Sequence, residues 1–298
     1  MRTFVIKTCT FVVLLAGIVL LMHILWIART EKEVVSAYTL RPDQKYLFLG
    51  SSQVGCGIHE ASEYENRVLW VSDTTLLHSL VRFKELERRS QLGHVKAVVI
   101  PFNYIVPQQY SERTLKWGWY QELPVARNHF KDYPFSRVGF VGYVVSNLRW
   151  PFLMVAQSGY PKGRPSIASR PEGWRKKFFA TVLHEAQNFS YGNGCCAGWE
   201  DLLRSHLCQM KEICQRHSIR FVAFPMPVLP EARANVPRNV LEQERVWWTW
   251  MKAQGIDMLE VEELGLDQNV FFDSVHLIEK GAERLTHAVF TSLQNVLK

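Results

Sequence analysis

The stretch YLFLGSSQVGCGI, residues 46–58, decides the fold class of this chain. Its first four residues are apolar, and the apolar run stops at Gly50, which Ser51 and Ser52 follow directly. A short continuous apolar run of this kind is typical of a strand that is buried on both faces of a parallel sheet. Sites in open sheets of this class form beyond the carboxyl ends of the strands. The stretch therefore predicts a buried strand that ends with a hydroxyl group at the functional edge.

Four more short apolar runs follow the first one, and amphipathic patterns with helical spacing lie between them. The four runs are residues 68–71 (VLWV), 95–100 (VKAVVI), 221–224 (FVAF) and 256–261 (IDMLEV). In the last helical pattern, Leu285, Val289 and Leu293 fall on one face. Strands that alternate with helices favour right-handed βαβ units. We therefore predict an α/β fold, a three-layer sandwich around a mostly parallel five-stranded sheet, over residues 45–298.

Residues 101–198 interrupt this alternation of strands and helices. The segment is long and rich in aromatic residues, proline, glycine and arginine. Because a structureless loop of such length is improbable in a compact domain, we interpret the segment as an insertion that contains helices of its own. The expected helices cover about 136–157 and 173–188 and lie over the carboxyl edge of the sheet.

The amino-terminal segment predicts one transmembrane helix ahead of the α/β domain. Residues 8–28 (TCTFVVLLAGIVLLMHILWIA) are 21 residues without a charge, which is long enough to cross a bilayer. We predict a signal anchor over residues 1–28 and a polar juxtamembrane linker over residues 29–44. A cleavable signal peptide is the alternative, but its apolar region usually has about 7–15 residues and ends at a small-x-small site. Basic residues flank both ends, so charge alone gives a weak orientation bias.

The charged residues give the chain a net charge of +7, and several basic residues cluster loosely within the insertion. The cluster comprises Arg164, Arg170, Arg175, Lys176 and Lys177. It is either a solvated face or a surface for anionic headgroups or an acidic glycan. The sequence contains no nucleic-acid-binding motif, and we predict no nucleic-acid partner.

Cysteine spacing favours a disulfide over a metal site. Cys195, Cys196, Cys208 and Cys214 fit no standard zinc spacing, and we predict neither a metal centre nor a cofactor. Cys208 and Cys214 are too far apart along one helix to form a bridge with each other. We therefore expect Cys208 to pair with Cys195 or Cys196.

The carboxyl-terminal stretch FFDSVHLIEKGAERL, residues 271–285, supplies partners for a serine nucleophile. Asp273 and His276 are three residues apart and precede the last helix, so the carboxylate can orient an imidazole that deprotonates a hydroxyl. Each segment alone has a simpler reading, because Ser-Ser after glycine and Asp-x-x-His both occur as helix N-caps. Together, the two segments favour a catalytic triad of Ser52, Asp273 and His276.

These two segments resemble the SGNH (GDSL-like) hydrolase superfamily, and more closely its bacterial membrane-anchored branch. The sequence GSS at residues 50–52 resembles the Gly-Asp-Ser block, with Ser52 in the position of the nucleophile. FFDSVHL resembles the Asp-x-x-His-Leu block and implies catalytic roles for Asp273 and His276. The similarity covers roughly residues 45–104 and 200–298.

The resemblance also implies an oxyanion hole. Its first donor is the backbone N–H of Ser52. The second block of the superfamily supplies a glycine N–H, and this chain has Ser72 there instead, within WVSDTT. The third block is Gly-x-Asn-Asp, of which VIPFNY retains only Asn103. A turn-capping role is the alternative for this asparagine.

The membrane-anchored branch implies a function in the cell envelope. Its members transfer or remove acyl groups on envelope polymers. For this chain the resemblance implies an extracytoplasmic serine-dependent esterase or O-acyltransferase in the inner membrane, with a periplasmic domain. An envelope glycan is the expected substrate, and a polytopic membrane acyltransferase is an expected partner. The imperfect second and third blocks leave one alternative open, a non-catalytic accessory protein of the same fold.

Overall fold

The architecture is taken from a computed structural model, which describes residues 2–70, 75–108, 127–133, 199–261 and 266–298. Within these ranges the chain forms one sheet with helices on both faces. The strands are β1 (Tyr46–Gly50), β2 (Asn66–Trp70), β3 (Ala97–Phe102), β4 (Arg220–Pro225) and β5 (Asp257–Met258). All neighbouring strands pair in parallel, in the order β2-β1-β3-β4-β5. The predicted α/β fold with a five-stranded sheet is confirmed.

Among the residues that the structure describes, the helices comprise one long amino-terminal helix and those that cover the sheet. They are α1 (Arg2–Ala37), α2 (Ser52–Gly57), α3 (Leu76–Arg88), α4 (Ile105–Gln108), α5 (Glu200–Arg216), α6 (Pro230–Ala234), α7 (Arg238–Ala253) and α8 (Glu279–Val296). Short 3-10 helices cover Ser62–Tyr64, Arg127–Asp132 and Gln268–Val270.

Alternating strand residues build a hydrophobic core on each face of the sheet. On β1, Leu47 and Leu49 belong to the core beneath α3 and α5, whereas Phe48 belongs to the core beneath α2 and α8. The alternation follows from the pleat, because successive side chains of a strand point to opposite faces. Both faces are therefore covered, which gives the three layers that the sequence predicts.

The strand order reverses between β1 and β3, and the two strands separate at their carboxyl ends. Their pairing joins Tyr46–Phe48 to Ala97–Val99, although β1 continues to Gly50 and β3 to Phe102. Pro101 lies beyond the part of β3 that pairs with β1, and it has no N–H to donate to that ladder. A crevice at such a reversal is where open α/β sheets bind their ligands.

Helix α1 is long and apolar enough to cross a membrane. Residues Thr3–Met22 have a mean hydropathy of 2.5 and are 0% buried, and a signal sequence near an amino terminus has the same properties. The helix continues to Ala37, so the first part of the predicted linker is helical. Residues 29–37 (RTEKEVVSA) contain neither glycine nor proline, which explains why the helix continues through them.

The second part of the predicted linker is packed against the domain. Tyr38 and Leu40 are buried in the core on the α3 side of the sheet. The Leu40 N–H donates to Oε1 of Gln91 at 3.0 Å, and Nε2 of Gln44 donates to the Asn66 carbonyl at 3.4 Å. Because Asn66 begins β2 and Gln91 lies in the connection from α3 to β3, the chain enters the domain at the amino-terminal edge of the sheet. The buried core thus includes residues of the predicted linker.

Within the predicted insertion, the structure describes only its first residues, 101–108, and one short segment, 127–133. β3 extends through Phe102, so the first residues of the predicted insertion belong to the sheet. Residues 127–133 lie against α3, where Nζ of Lys84 donates to Asp132 at 2.7 Å. The helices expected over 136–157 and 173–188, and the basic cluster between them, lie outside the described residues.

Candidate active site

Ser52 stands at the carboxyl end of β1, where the chain turns sharply into α2. Ser51 is the N-cap residue, and Ser52 is the first residue of the helix. A Cβ atom on Gly50 would come within 2.5 Å of Cγ2 of Val54 and 3.2 Å of the Pro101 ring. Glycine is therefore needed at this turn, because α2 folds back closely over the strand end. The turn leaves Ser52 half-buried at the crevice edge of the sheet.

The loop before α8 is a narrow hairpin that presents Asp273 and His276 on one side. Phe271 and Leu277 form an antiparallel bridge, and the Phe272 N–H donates to the His276 carbonyl at 2.7 Å. A Cβ atom on Gly281 would lie 2.7 Å from the Val270 carbonyl oxygen. Glycine at that position therefore lets α8 pack closely against the hairpin.

The carboxylate of Asp273 is fully engaged within this hairpin. Oδ1 accepts the backbone N–H groups of Val275 at 2.8 Å and His276 at 2.7 Å. Oδ2 lies 2.5 Å from Nδ1 of His276, and the two side chains are 13% and 23% exposed. An ionised carboxylate only accepts hydrogen bonds, so Nδ1 carries the proton. The other ring nitrogen, Nε2, is then free to accept a proton.

Nε2 of His276 lies 2.8 Å from Oγ of Ser52, across 224 residues of sequence. The structure therefore brings together the three side chains that the sequence singles out, within the distance of about 4 Å expected for a nucleophile and its base. A hydroxyl, an imidazole and a carboxylate in this line are equipped for nucleophilic attack assisted by a general base.

The structure describes two of the three predicted oxyanion donors, Ser52 and Asn103. Ser52 is the first residue of α2, so its N–H has no partner within that helix. Ser72 lies outside the described residues. Asn103 follows β3 and is 1% exposed, and its Nδ2 donates to the Met226 carbonyl at 3.3 Å while its Oδ1 accepts the Ile105 N–H at 3.0 Å. Asn103 thus caps its own turn, and Nδ2 carries a second hydrogen that can serve another acceptor.

Glu244 is a buried residue near the site that sequence reasoning missed. It is 5% exposed on α7, and Oε1 accepts the backbone N–H of Tyr104, the residue after Asn103, at 3.1 Å. Nη2 of Arg233 donates to the other carboxylate oxygen at 2.7 Å. The loop after β3 is therefore fastened to α7 by a charged group.

The loop after β4 is in turn hydrogen-bonded to the hairpin that carries Asp273 and His276. The Leu229 N–H donates to the carbonyl of Ser274 at 2.8 Å, and Ser274 lies between Asp273 and His276. Because Met226 of the same loop accepts from Asn103, backbone and side-chain bonds connect the ends of β3 and β4 to the hairpin.

The predicted disulfide is not formed. The thiols of Cys208 and Cys214 are free, and Cys195 and Cys196 lie outside the described residues. Cys208 lies well inside α5, so a bridge would require the preceding chain to fold back along the helix. Burial raises the pKa of the Cys214 thiol well above its usual range. Among the described ranges, no group of three or more His, Cys, Asp or Glu side chains is placed to hold a metal ion.

Comparison with known proteins gives little beyond this geometry. No family model matches the sequence, and no curated protein matches it. Among solved structures, the chain is similar to a GDSL-like lipase from Bacteroides thetaiotaomicron, with 12% sequence identity and a TM-score of 0.39. The alignment covers 91% of this chain and 96% of that protein. A likeness of this size does not establish a relationship, so the assignment of the site rests on the side-chain geometry.

Proposed function

We propose that this protein is a serine-dependent acyl-ester enzyme. Ser52 is the nucleophile, His276 is the general base, and Asp273 orients the imidazole. The observation that carries the proposal is the continuous line of two short contacts, 2.8 Å from Ser52 Oγ to His276 Nε2 and 2.5 Å from His276 Nδ1 to Asp273 Oδ2.

In the first half of the reaction, Ser52 Oγ attacks the ester carbonyl and Nε2 of His276 takes the hydroxyl proton. The carbonyl oxygen becomes an oxyanion, and the protonated imidazole then gives its proton to the departing alcohol. The product is an acyl group in ester linkage to Ser52. In the second half, water or an acceptor hydroxyl loses its proton to Nε2 and attacks the acyl carbon, which releases Ser52.

The oxyanion of each tetrahedral intermediate needs hydrogen-bond donors. In this proposal they are the Ser52 N–H, the second Nδ2 hydrogen of Asn103 and Ser72. Asn103 follows β3, the strand beside β1, so it lies at the same edge of the sheet as Ser52. Its side-chain amide is buried and makes two hydrogen bonds that hold it in one orientation, which suits a preorganised donor.

The proposed substrate is an envelope glycan that carries or receives O-acyl groups. In this proposal α1, which is apolar enough to cross a membrane, anchors the chain in the inner membrane, and the α/β domain lies on the periplasmic side. A transferase would receive its acyl group from a polytopic membrane acyltransferase. This topology predicts that a reporter enzyme active only outside the cytoplasm is active when fused after Lys298.

The deciding experiment uses the full-length protein in detergent, a chromogenic acetyl ester and a fluorophosphonate label. Ser52→Ala should abolish both labelling and release of the chromophore. Ser51→Ala is the matched control, because the neighbouring hydroxyl makes no capping hydrogen bond to α2. Labelling that persists in Ser52→Ala would overturn the proposal.

Addition of an O-deacylated glycan separates transfer from hydrolysis. Slow release in water together with acceptor-dependent acyl incorporation indicates an O-acyltransferase. Fast release of the chromophore at a rate that does not depend on the acceptor indicates an esterase. An absence of any Ser52-linked acyl-enzyme under both conditions would favour the non-catalytic accessory protein.

A further inference from the structure

Arg82 places a guanidinium inside the domain, beneath the edge that carries Ser52. The residue lies on α3, is 1% exposed, and is among the largest fully buried side chains. Nη1 donates to the carbonyl oxygens of Gly50 and Leu69, both at 3.2 Å. Burying a charged group is unfavourable unless hydrogen bonds compensate for the lost water. The bonds to these two carbonyls are therefore an essential part of the environment of Arg82.

The two carbonyls lie at the strand ends from which the proposed site is built. Gly50 is the last residue of β1 and lies two residues before Ser52. Leu69 is the penultimate residue of β2, and the segment with Ser72 follows that strand. One nitrogen of Arg82 thus joins the ends of two neighbouring strands, and the first of these strands leads directly into Ser52.

The two hydrogen bonds from Arg82 lie at the end of β1, where the ladder between β1 and β3 has already stopped. The ladder between β1 and β3 ends at Phe48, and Pro101 has no N–H with which to continue it. Beyond that point, β1 pairs only with β2, in a register that ends with Gly50 opposite Trp70. Arg82 donates to both of these strands at their ends.

We propose that Arg82 is a positioning residue for the Ser52 nucleophile. The proposal rests on the proposed function. By fixing the carbonyls of Gly50 and Leu69, Arg82 holds the turn that sets the backbone N–H and the hydroxyl of Ser52. A displacement of about 1 Å in a reacting group can cost roughly 100-fold in rate. Loss of these two bonds should therefore lower the rate of the chemical step more than the affinity for substrate.

The test compares Arg82→Met, Arg82→Gln and Arg82→Lys in the full-length protein with the acetyl ester. Reactive sites are counted by fluorophosphonate titration, so that kcat refers to folded molecules only. Arg82→Met should lower kcat about 10- to 100-fold, with KM within about threefold of wild type. Arg82→Lys should recover kcat to within about threefold, because an ammonium group can still donate to both carbonyls. Arg82→Gln, which retains a donor without the charge, should lie between them.

Arg88→Met is the matched control, since it removes the same charge from the same helix at a half-exposed position paired with Glu85. Its kcat should equal that of wild type. Wild-type kcat per titrated site in Arg82→Met overturns the proposal, as does a Lys variant no better than the Met variant. If Arg82→Met does not fold, wild-type kcat in Arg82→Gln overturns it instead. If the fluorophosphonate does not label the wild-type protein, the proposed function itself is contradicted. Failure of the proposed function can therefore be distinguished from failure of the proposed role of Arg82.

Discussion

Asp273 holds His276 by the backbone and by the ring at the same time. Oδ1 accepts the His276 N–H at 2.7 Å, while Oδ2 lies 2.5 Å from Nδ1 of the imidazole. The ring therefore cannot turn away from Ser52 without breaking a bond to the group that also fixes its main chain. The same contact sets the tautomer of the imidazole, because Nδ1 must carry a hydrogen in order to donate a hydrogen bond to the carboxylate.

Asp273→Asn tests that second role. The amide oxygen can still accept the N–H groups of Val275 and His276, so the hairpin should keep its shape and the unfolding temperature should change little. The amide can also stabilise the wrong tautomer, with the proton on Nε2. We expect kcat to fall about 10³- to 10⁴-fold, as measured with the acetyl ester. A loss of less than tenfold in a folded variant would contradict the role of Asp273.

Glu244→Leu tests the attachment of the Asn103 loop to α7. The change removes the acceptor for the buried Tyr104 N–H and the partner of Arg233. Arg233 is 46% exposed and can turn to water, so most of the cost comes from the unpaired N–H. We expect the free energy of unfolding in urea to fall by about 1–3 kcal/mol.

Glu244→Gln is the matched control for that change, because its amide oxygen can still accept from Tyr104. Its loss of stability should be less than half that of the Leu variant. Equal losses in both variants would show that the ion pair to Arg233, rather than the bond to Tyr104, carries the stability.

Gln53→Met should stabilise the fold. Gln53 follows the nucleophile on α2 and is 2% exposed, and neither Nε2 nor Oε1 has a hydrogen-bond partner within the described part of the chain. A buried amide without partners costs about 1–3 kcal/mol, and methionine fills a similar volume without polar hydrogen-bonding groups. Urea unfolding should show a gain of about 1 kcal/mol. A clear loss of stability would mean that the amide does have a partner in the folded protein.

The contacts of His129 with Glu85 and Asp132 should make stability depend on pH. Burial lowers the pKa of His129, but hydrogen bonds to Asp132 and Glu85 outweigh burial and raise it above 6.5. Burial raises the pKa of both carboxyl groups, but hydrogen bonds outweigh it. Bonds from Arg88, His129 and Arg89 hold the pKa of Glu85 below its usual value. Bonds from His129 and Lys84 do the same for the pKa of Asp132. The histidine thus stabilises the fold fully below pH 6.5, and its contribution is lost as pH rises through its raised pKa. The carboxylates stabilise it above their unfolded values, 4.5 for Glu85 and 3.8 for Asp132.

The stabilising window of these contacts therefore lies between about pH 4.5 and 6.5. We expect the difference in unfolding free energy between wild type and His129→Gln to be largest within this window and to shrink as the pH rises through the raised pKa of His129. His217→Gln is a suitable comparison, since His217 pairs with Glu87 at the exposed end of α5. A difference that grows as the pH rises above about 7 would have the wrong sign.

Apolar runs sufficed to predict the sheet, and residue chemistry together with the resemblance singled out three side chains that the structure brings close together. Strands buried on both faces leave a clear apolar signal, and β1 begins at Tyr46 as expected. β5 is shorter than predicted, with only Asp257–Met258 paired to β4. Its apolar run continues into Leu259, which is buried and whose N–H donates to the Ala223 carbonyl of β4 at 2.9 Å, although the assigned strand ends at Met258. Apolarity therefore located the buried chain but not the end of the strand.

The supporting residues were missed because burial of a charge depends on packing between elements. Glu244 did leave a signal, since it falls between the buried Val240 and Trp247 on the apolar face of α7. The sequence signal for a buried Arg82 is weaker. Because α3 buries polar as well as apolar side chains around most of its circumference, no single apolar face marks the position of Arg82 as buried. Only the folded sheet shows that its guanidinium reaches the ends of β1 and β2.

The burial of Tyr38 shows that the fold depends on chain that lies close behind the apolar helix. Residues 29–37 continue α1 as about two and a half turns of helix up to that side chain. Proteolytic cleavage within those turns would leave Tyr38 and Leu40 attached to the α/β domain. Cleavage after Leu40 would instead remove Tyr38, Leu40 and the bond to Gln91 together. A shortened form that keeps these contacts must therefore begin at or before residue 38.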